Sequence, residues 1–203
     1  ALPLGVTSSG ELIDFELTKE ISVESFKAQL QAQLPEDVLI YQADEISLQL
    51  PSSTKSLDKA VYFLALNIDP ETVSSDVSKD AHLTDAHRST DAVASPEDWA
   101  SWVAQVIAAD QVMHTKTTKS GKKKEVDLRS RLFELEIVDP SQLSELPTAV
   151  QTRLQATGQL VVRYVGSCRN DGTLLRPRGV LTMLETFSAR PLSLGHIHRV
   201  LNA

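Results

Sequence analysis

The sequence predicts an α+β protein built from two ferredoxin-like α/β halves, each an antiparallel sheet with helices packed on one face. Three observations carry that expectation. Short stretches repeat apolar residues with a period of two, as strands with one face in a core do. Between them, well-capped segments repeat apolar residues at spacings of three and four, as amphipathic helices do. Finally, residues 70–94 are rich in Ser, Thr, Asp and Ala without an apolar period, so they read as a polar linker or long loop between a half at 1–69 and a half at 95–203. The first half lacks its opening strand and helix and reads as N-terminally truncated.

Residues 10–17 place Ile13, Phe15 and Leu17 on one face and Asp14 and Glu16 on the other, the pattern of a strand. Ser22 then caps a helix whose stripe is Val23, Phe26, Leu30 and Leu34, closed by Pro35. Strands are expected at 38–50 and 60–67; in the latter Tyr62, Leu64 and Leu66 alternate with Val61, Phe63 and Ala65. Past the linker, Ser95-Pro96-Glu97-Asp98 is a strong helix start with Trp99, Trp102, Val103, Val106 and Ile107 as the buried stripe. Strands at 112–118 and 125–138 flank a lysine-rich hairpin tip, and Phe133, Leu135 and Ile137 are expected on a dry face opposite Leu132, Glu134 and Glu136. A helix over 143–156, interrupted by Pro147, precedes a strand at 160–169 and a turn at Asn170-Asp171-Gly172. Pro177 opens a helix through Val180, Leu181, Leu184 and Phe187, and the alternation of Ile197, Arg199 and Leu201 favours a short closing strand.

The 203 residues carry 20 Lys and Arg against 27 Asp and Glu, a net charge of −7. Seven of those bases (Lys116, Lys119, Lys122, Lys123, Lys124, Arg129, Arg131) lie within 116–131, where the only acids are Glu125 and Asp127. That local +5 leaves −12 on the remainder, which excludes a protein coated in nucleic acid. One cysteine, Cys168, excludes an internal disulfide and a cysteine-ligated metal or iron–sulfur centre within the chain. A reducing cytoplasm fits that usage, and no apolar run reaches the roughly 18–20 residues of a membrane helix. The start lacks the pattern of a signal peptide, and because it is Ala1 and not Met, the chain reads as processed or, more simply, as a fragment of something longer.

The lysine tip has two readings. It is a solvated turn whose charge keeps a sheet edge soluble, or it is a phosphate contact. In the second, Lys116, Lys119, Lys122, Lys123 and Lys124 supply sequence-independent affinity, and Arg129 and Arg131 on the adjacent strand add forked hydrogen bonds. No aromatic interleaves them, so base stacking is not indicated. Arg176 and Pro177 at a helix start form a weaker anion-binding candidate, since prolines commonly open helices for structural reasons. The five histidines assemble no metal site: His82 and His87 lie in the linker, His114 on a strand, and His196 and His198 share a face only if their segment is extended. No Ser-His-Asp order, carboxylate pair, phosphate-binding loop or dinucleotide fingerprint is present, so no catalytic residue is assigned.

Three blocks in order, ALPLGVTSSGELIDFELT at 1–18, KKKEVDLRSRLFELEI at 122–137 and GTLLRPRGVLTMLE at 172–185, resemble the uncharacterised domain linked to radical SAM proteins. That domain is fused behind, or encoded beside, a B12-binding radical SAM protein. The resemblance places Lys124, Glu125, Asp127, Arg129, Arg176 and Pro177 at motif positions and carries over no catalytic residue. It implies a radical SAM domain, in the same or a neighbouring chain, as partner. To that module, not to this chain, belong a 4Fe-4S cluster, S-adenosylmethionine and, in B12-binding members, cobalamin. The chain departs from the family in lacking the upstream Gly-Phe-Asn/His-Pro-His segment and the cysteine triad, and in carrying Gly179 where an acid is common. The function expected is that of a non-catalytic accessory domain that docks the radical SAM enzyme's substrate, RNA or a ribonucleoprotein, through the basic hairpin. The alternative is a structural module that packs against the radical SAM domain or dimerises, with no nucleic-acid role and no membrane contact.

Overall fold

The chain's most apolar strand has no polar face: from Ala60 to Leu66 every side chain is buried. A strand of that kind needs cover on both sides. The computed structural model describes residues 5–68, 94–117, 121–169 and 171–200 and supplies that cover. Its elements are β1 (Val6–Ser8), α1 (Val23–Gln31), α2 (Ser53–Ser56), β2 (Lys59–Ile68), α3 (Pro96–Ala108), β3 (Met113–Thr117), β4 (Lys123–Asp127), β5 (Leu132–Ile137), α4 (Thr148–Thr157), β6 (Leu160–Ser167), α5 (Pro177–Ser188) and β7 (Leu192–Val200). The class is α+β, as the sequence predicts.

Five strands make one sheet in the order β1-β7-β2-β6-β5, with β1 parallel to β7 and the other neighbours antiparallel. Ala60, Tyr62, Leu64 and Leu66 of β2 pack with α3 and α5, where Trp99, Trp102, Val103, Val106, Val180, Leu181, Met183 and Leu184 are buried. Val61, Phe63 and Ala65 pack on the other face with Val150 and Leu154 of α4. Helices therefore cover both faces of a single sheet that draws strands from both sides of residues 70–94, in place of two sheets with one covered face each. The linker expected at 70–94 lies outside the described residues except Ala94, which is buried in the core.

The helix starts follow the sequence closely. Ser95 and Asp98 form a reciprocal capping box with Pro96 at the first position, and Pro177 opens α5. Pro147 separates a 3-10 turn, Pro140–Glu145, from α4. Ile107 is the exception in the α3 stripe, at 45% exposure. Two glycines allow close helix–sheet approach: a Cβ on Gly158 would lie 2.7 Å from Ala65 Cβ, and one on Gly195 would lie 1.9 Å from the Thr157 carbonyl oxygen.

The expected strand at 125–138 is two strands in different sheets. β4 pairs only with β3 in a two-stranded ribbon, a 3-10 turn occupies Arg129–Arg131, and β5 joins the main sheet at its edge. Arg129 and Arg131 thus sit on a turn and not on a strand. A register irregularity between Leu132 and Glu134 also breaks the phase of β5, which buries Leu132 and Leu135 and leaves Phe133 47% exposed under the Lys59 ammonium.

Residues 1–11 with 57–203 form one compact unit, and residues 12–56 form another. Within it α1 starts where expected, Ser22 Oγ accepting from Ser25 N, but stops at Gln31. The strands expected at 10–17 and 38–50 are absent. Side chains there meet backbone needs that a ladder would otherwise fill: Gln31 bonds the Val38 carbonyl and the Ile40 amide, Lys27 donates to the Tyr41 carbonyl, and Asp14 accepts from the Ser53 amide. Phe15 meets Phe26 edge-on at 5.4 Å. Leu12, Ile13, Leu17, Leu39, Tyr41, Leu48 and Leu50 remain exposed.

Candidate functional site

In an antiparallel pair, directly opposed side chains share a face and successive residues alternate between faces. Met113 opposes Asp127, His114 opposes Val126, Thr115 opposes Glu125, Lys116 opposes Lys124 and Thr117 opposes Lys123. One ribbon face therefore carries His114, Lys116, Lys124 and Val126, and the other carries Met113, Thr115, Thr117, Lys123, Glu125 and Asp127. Both acids lie on the second face. The first carries no acid, with two exposed lysines directly opposite each other and Val126 packed against the core. Such like-charge pairs destabilise a ribbon by some tenths of a kcal/mol. Among the described residues no ion pair involves Lys116, Lys123 or Lys124. Gly121, at φ +78°, turns the tip beside the exposed Lys122; Lys119 lies outside the described residues.

The KEVDLR stretch at 124–129, within the central block, is a joint. Arg129 Nε and Nη2 donate to the Ile107 carbonyl at 3.3 and 2.9 Å and Nη1 donates to the Leu132 carbonyl at 2.9 Å. Its guanidinium thereby satisfies the end of α3, whose last carbonyls have no partner within the helix. Asp127 accepts from the Val112, Arg129 and Ser130 amides. Burial raises its pKa, but the hydrogen bonds from Val112, Ser130 and Arg129 outweigh that and lower it overall. Arg131 donates to the Leu174 carbonyl at 3.3 Å, which brings the base of the ribbon to the start of α5. There Arg176 is the exposed N-cap, its side chain making no capping bond, and Pro177 is the first helical residue. Glu125 is exposed on the mixed face of the ribbon.

A second polar group joins the two histidines of the closing strand to hydroxyls that the sequence reading does not connect with them. His196 and His198 share the α4 face of β7 and are 9% and 1% exposed. Thr7 Oγ1 lies 3.0 Å from His196 Nε2 and 2.8 Å from His198 Nδ1, and Ser9 Oγ lies 2.7 Å from His198 Nε2. Desolvation, then the neighbouring His196, lowers the pKa of His198 to about 4; desolvation, then Arg153 on α4, lowers that of His196. On the opposite face Arg199 pairs with Glu11. The available signal is the His-x-His alternation near one end of the chain and the hydroxyl-rich GVTSSG near the other. A shallow cavity of about 510 Å³ lined by Ile137, Leu143, Gly158 and Val161 has Asp139 at its rim, but that carboxylate is taken by Ser141.

Among the described residues no group of three or more His, Cys, Asp and Glu side chains is placed to hold a metal, and no helix is long and apolar enough to cross a membrane. A family profile described as "Uncharacterized protein conserved in bacteria (DUF2344)" matches residues 1–177. The match includes the ribbon and stops short of β7. No curated protein matches the chain, and no solved structure does.

Proposed function

We propose that this chain, which belongs to the DUF2344 family of proteins conserved in bacteria, is an accessory domain of a radical SAM protein. Its task is to dock that enzyme's RNA or ribonucleoprotein substrate through the basic face of the β3–β4 ribbon. The observation that carries the reading is the juxtaposition of Lys116 with Lys124, flanked by His114, on a face without acids. Repulsion between two opposed ammonium groups is relieved when a phosphate lies between them. An anionic partner thus gives back what the free ribbon loses. The face carries no Phe, Tyr or Trp, so the contact is with phosphates and is sequence-independent. Arg129, held by three carbonyl hydrogen bonds, contributes by fixing the ribbon's base and leaves the contact to the lysines. The radical SAM partner rests on the resemblance of the three sequence blocks; the cluster, S-adenosylmethionine and cobalamin belong to that partner.

The test is the salt dependence of binding to a single-stranded RNA oligomer. Each phosphate contact contributes a slope of about −0.7 in log K against log salt. Replacing Lys116 and Lys124 with Glu reduces the magnitude of the slope by about 1.4 and weakens binding at all salt concentrations. Equal binding by both proteins removes the nucleic-acid role.

The alternative, a module that packs on the radical SAM domain or dimerises, is favoured by a separate observation. Residues 12–56 expose Leu12, Ile13, Phe15, Leu17, Val38, Leu39, Tyr41, Ile46, Leu48 and Leu50, apolar surface that a packing module has to offer a partner. Co-purification with the radical SAM module that survives the ribbon variant but is lost on replacing Leu39, Tyr41 and Leu48 with Ser supports that reading. Unchanged co-purification removes it.

A further inference from the structure

The β1–β7 pair holds a hydrogen-bonded chain of two hydroxyls and two imidazoles that ends at a serine. Thr7 and His198 are register partners in the parallel ladder, and His196, two residues earlier on β7, points to the same face. Thr7 Oγ1 has three neighbours: His198 Nδ1 at 2.8 Å, His196 Nε2 at 3.0 Å and the Ile197 carbonyl oxygen at 3.4 Å. A hydroxyl has one proton and two lone pairs, and a carbonyl can only accept. The arrangement that satisfies all three has Thr7 donating to Ile197 and accepting an N–H from each imidazole. That assignment puts the His198 proton on Nδ1. The lone pair of Nε2 is then free and lies 2.7 Å from Ser9 Oγ. Ser9 itself is half-buried.

This is the logic of an activated nucleophile: a hydroxyl, a base within hydrogen-bond reach of its proton, and a third group that fixes the base's tautomer. We propose that Ser9 is a nucleophilic hydroxyl that accepts an acyl group from an ester or thioester, with His198 as its general base and Thr7 as the positioning residue. As Ser9 Oγ bonds to the carbonyl carbon, its proton passes to His198 Nε2. The carbon–oxygen or carbon–sulfur bond to the leaving group then breaks, and the departing alkoxide or thiolate takes that proton from His198. Nothing is oxidised or reduced. The burial that keeps His198 neutral keeps its lone pair available throughout the neutral range. The site is separate in residues from the ribbon and stands whether or not the ribbon binds RNA.

An alkyl fluorophosphonate tests it, because the same attack forms an Oγ–P bond and expels fluoride. The full chain is incubated with the probe and the adduct is mapped by peptide mass spectrometry. The proposal expects labelling at Ser9, none there in Ser9→Ala, a rate at least about 100-fold lower in His198→Gln, and a rate largely retained in Thr7→Ser. In the wild type the labelling rate stays level from pH 8 to pH 5.5 and falls towards pH 4 as His198 takes a proton. No adduct at Ser9 overturns the proposal. So does a His198→Gln variant of unchanged circular dichroism that labels as fast as wild type. The wild-type pH profile needs no variant to fold: a rate that climbs tenfold per pH unit, as for an unassisted alkoxide, also overturns it.

Discussion

Lowering the pH from 8 to 4.5 removes a definable part of this protein's stability, because His198 must be neutral where it sits. Its imidazole is 1% exposed and its pKa is lowered to about 4 from an ordinary 6.5. A depressed histidine stabilises the fold fully above its unfolded pKa. That contribution is lost as the pH falls from 6.5 towards 4, since the unfolded chain takes up the proton first. At pH 4.5 this group alone shifts the balance towards the unfolded state by a factor on the order of 100, about 2–3 kcal/mol. His196 acts in the same direction. Arg153 from α4 opposes protonation of His196, and the Arg199–Glu11 pair lies on the other face of β7. Asp127 and the other aspartates with lowered pKa contribute mainly below pH 4 and are common to wild type and variant. Urea unfolding of wild type and His198→Gln at pH 8, 6.5, 5.5 and 4.5 isolates the histidine. Wild type is expected to lose about 2–3 kcal/mol more than the variant across that range. Parallel losses agreeing within about 0.5 kcal/mol would refute the assignment of a desolvated, neutral His198.

Other outcomes follow from single contacts. Gly195→Ala forces a Cβ to 1.9 Å from the Thr157 carbonyl, so the end of α4 must lift from β7; urea unfolding should report a loss of about 3 kcal/mol or more. Arg129→Met removes three hydrogen bonds to carbonyls and should cost about 2–3 kcal/mol by the same assay. It should leave the salt slope of RNA binding unchanged, and a reduced slope would make Arg129 a contact residue. Asp127→Ala frees three amides and should cost about 2 kcal/mol, with amide exchange rising first at Val112, Arg129 and Ser130.

The parts of this fold that the sequence discloses are those whose cause is local. Ser22, Ser95-Pro96 and Pro177 begin helices because the residues that satisfy the first amides, or need none, are adjacent in the chain. The apolar run at Ala60–Leu66 discloses a strand, while its cover on both faces emerges only from the packing of α3 and α5 on one side and α4 on the other. Alternation alone fails at 10–17 and 38–50: it states which side chains a sheet would bury, but a strand exists only where a neighbour completes its ladder. Here Gln31, Lys27 and Asp14 supply those hydrogen bonds instead. The block at 125–131 reads as a strand because Val126 and Leu128 alternate with charged residues, yet an aspartate able to accept from amides two and three residues ahead is a turn signal. The basic ribbon is legible because its charges are contiguous. The Ser9–His198 chain is not, since its members stand 189 residues apart and meet only through the β1–β7 pairing.

The most direct test of the ribbon as contact surface is a titration of the ¹⁵N-labelled chain with a single-stranded RNA oligomer, followed amide by amide. The account predicts that the signals of His114, Lys116 and Lys124 move first and together, and that the movement fades as salt rises. Shifts confined to residues outside β3 and β4, or none at an RNA concentration that binds other basic ribbons, would contradict it.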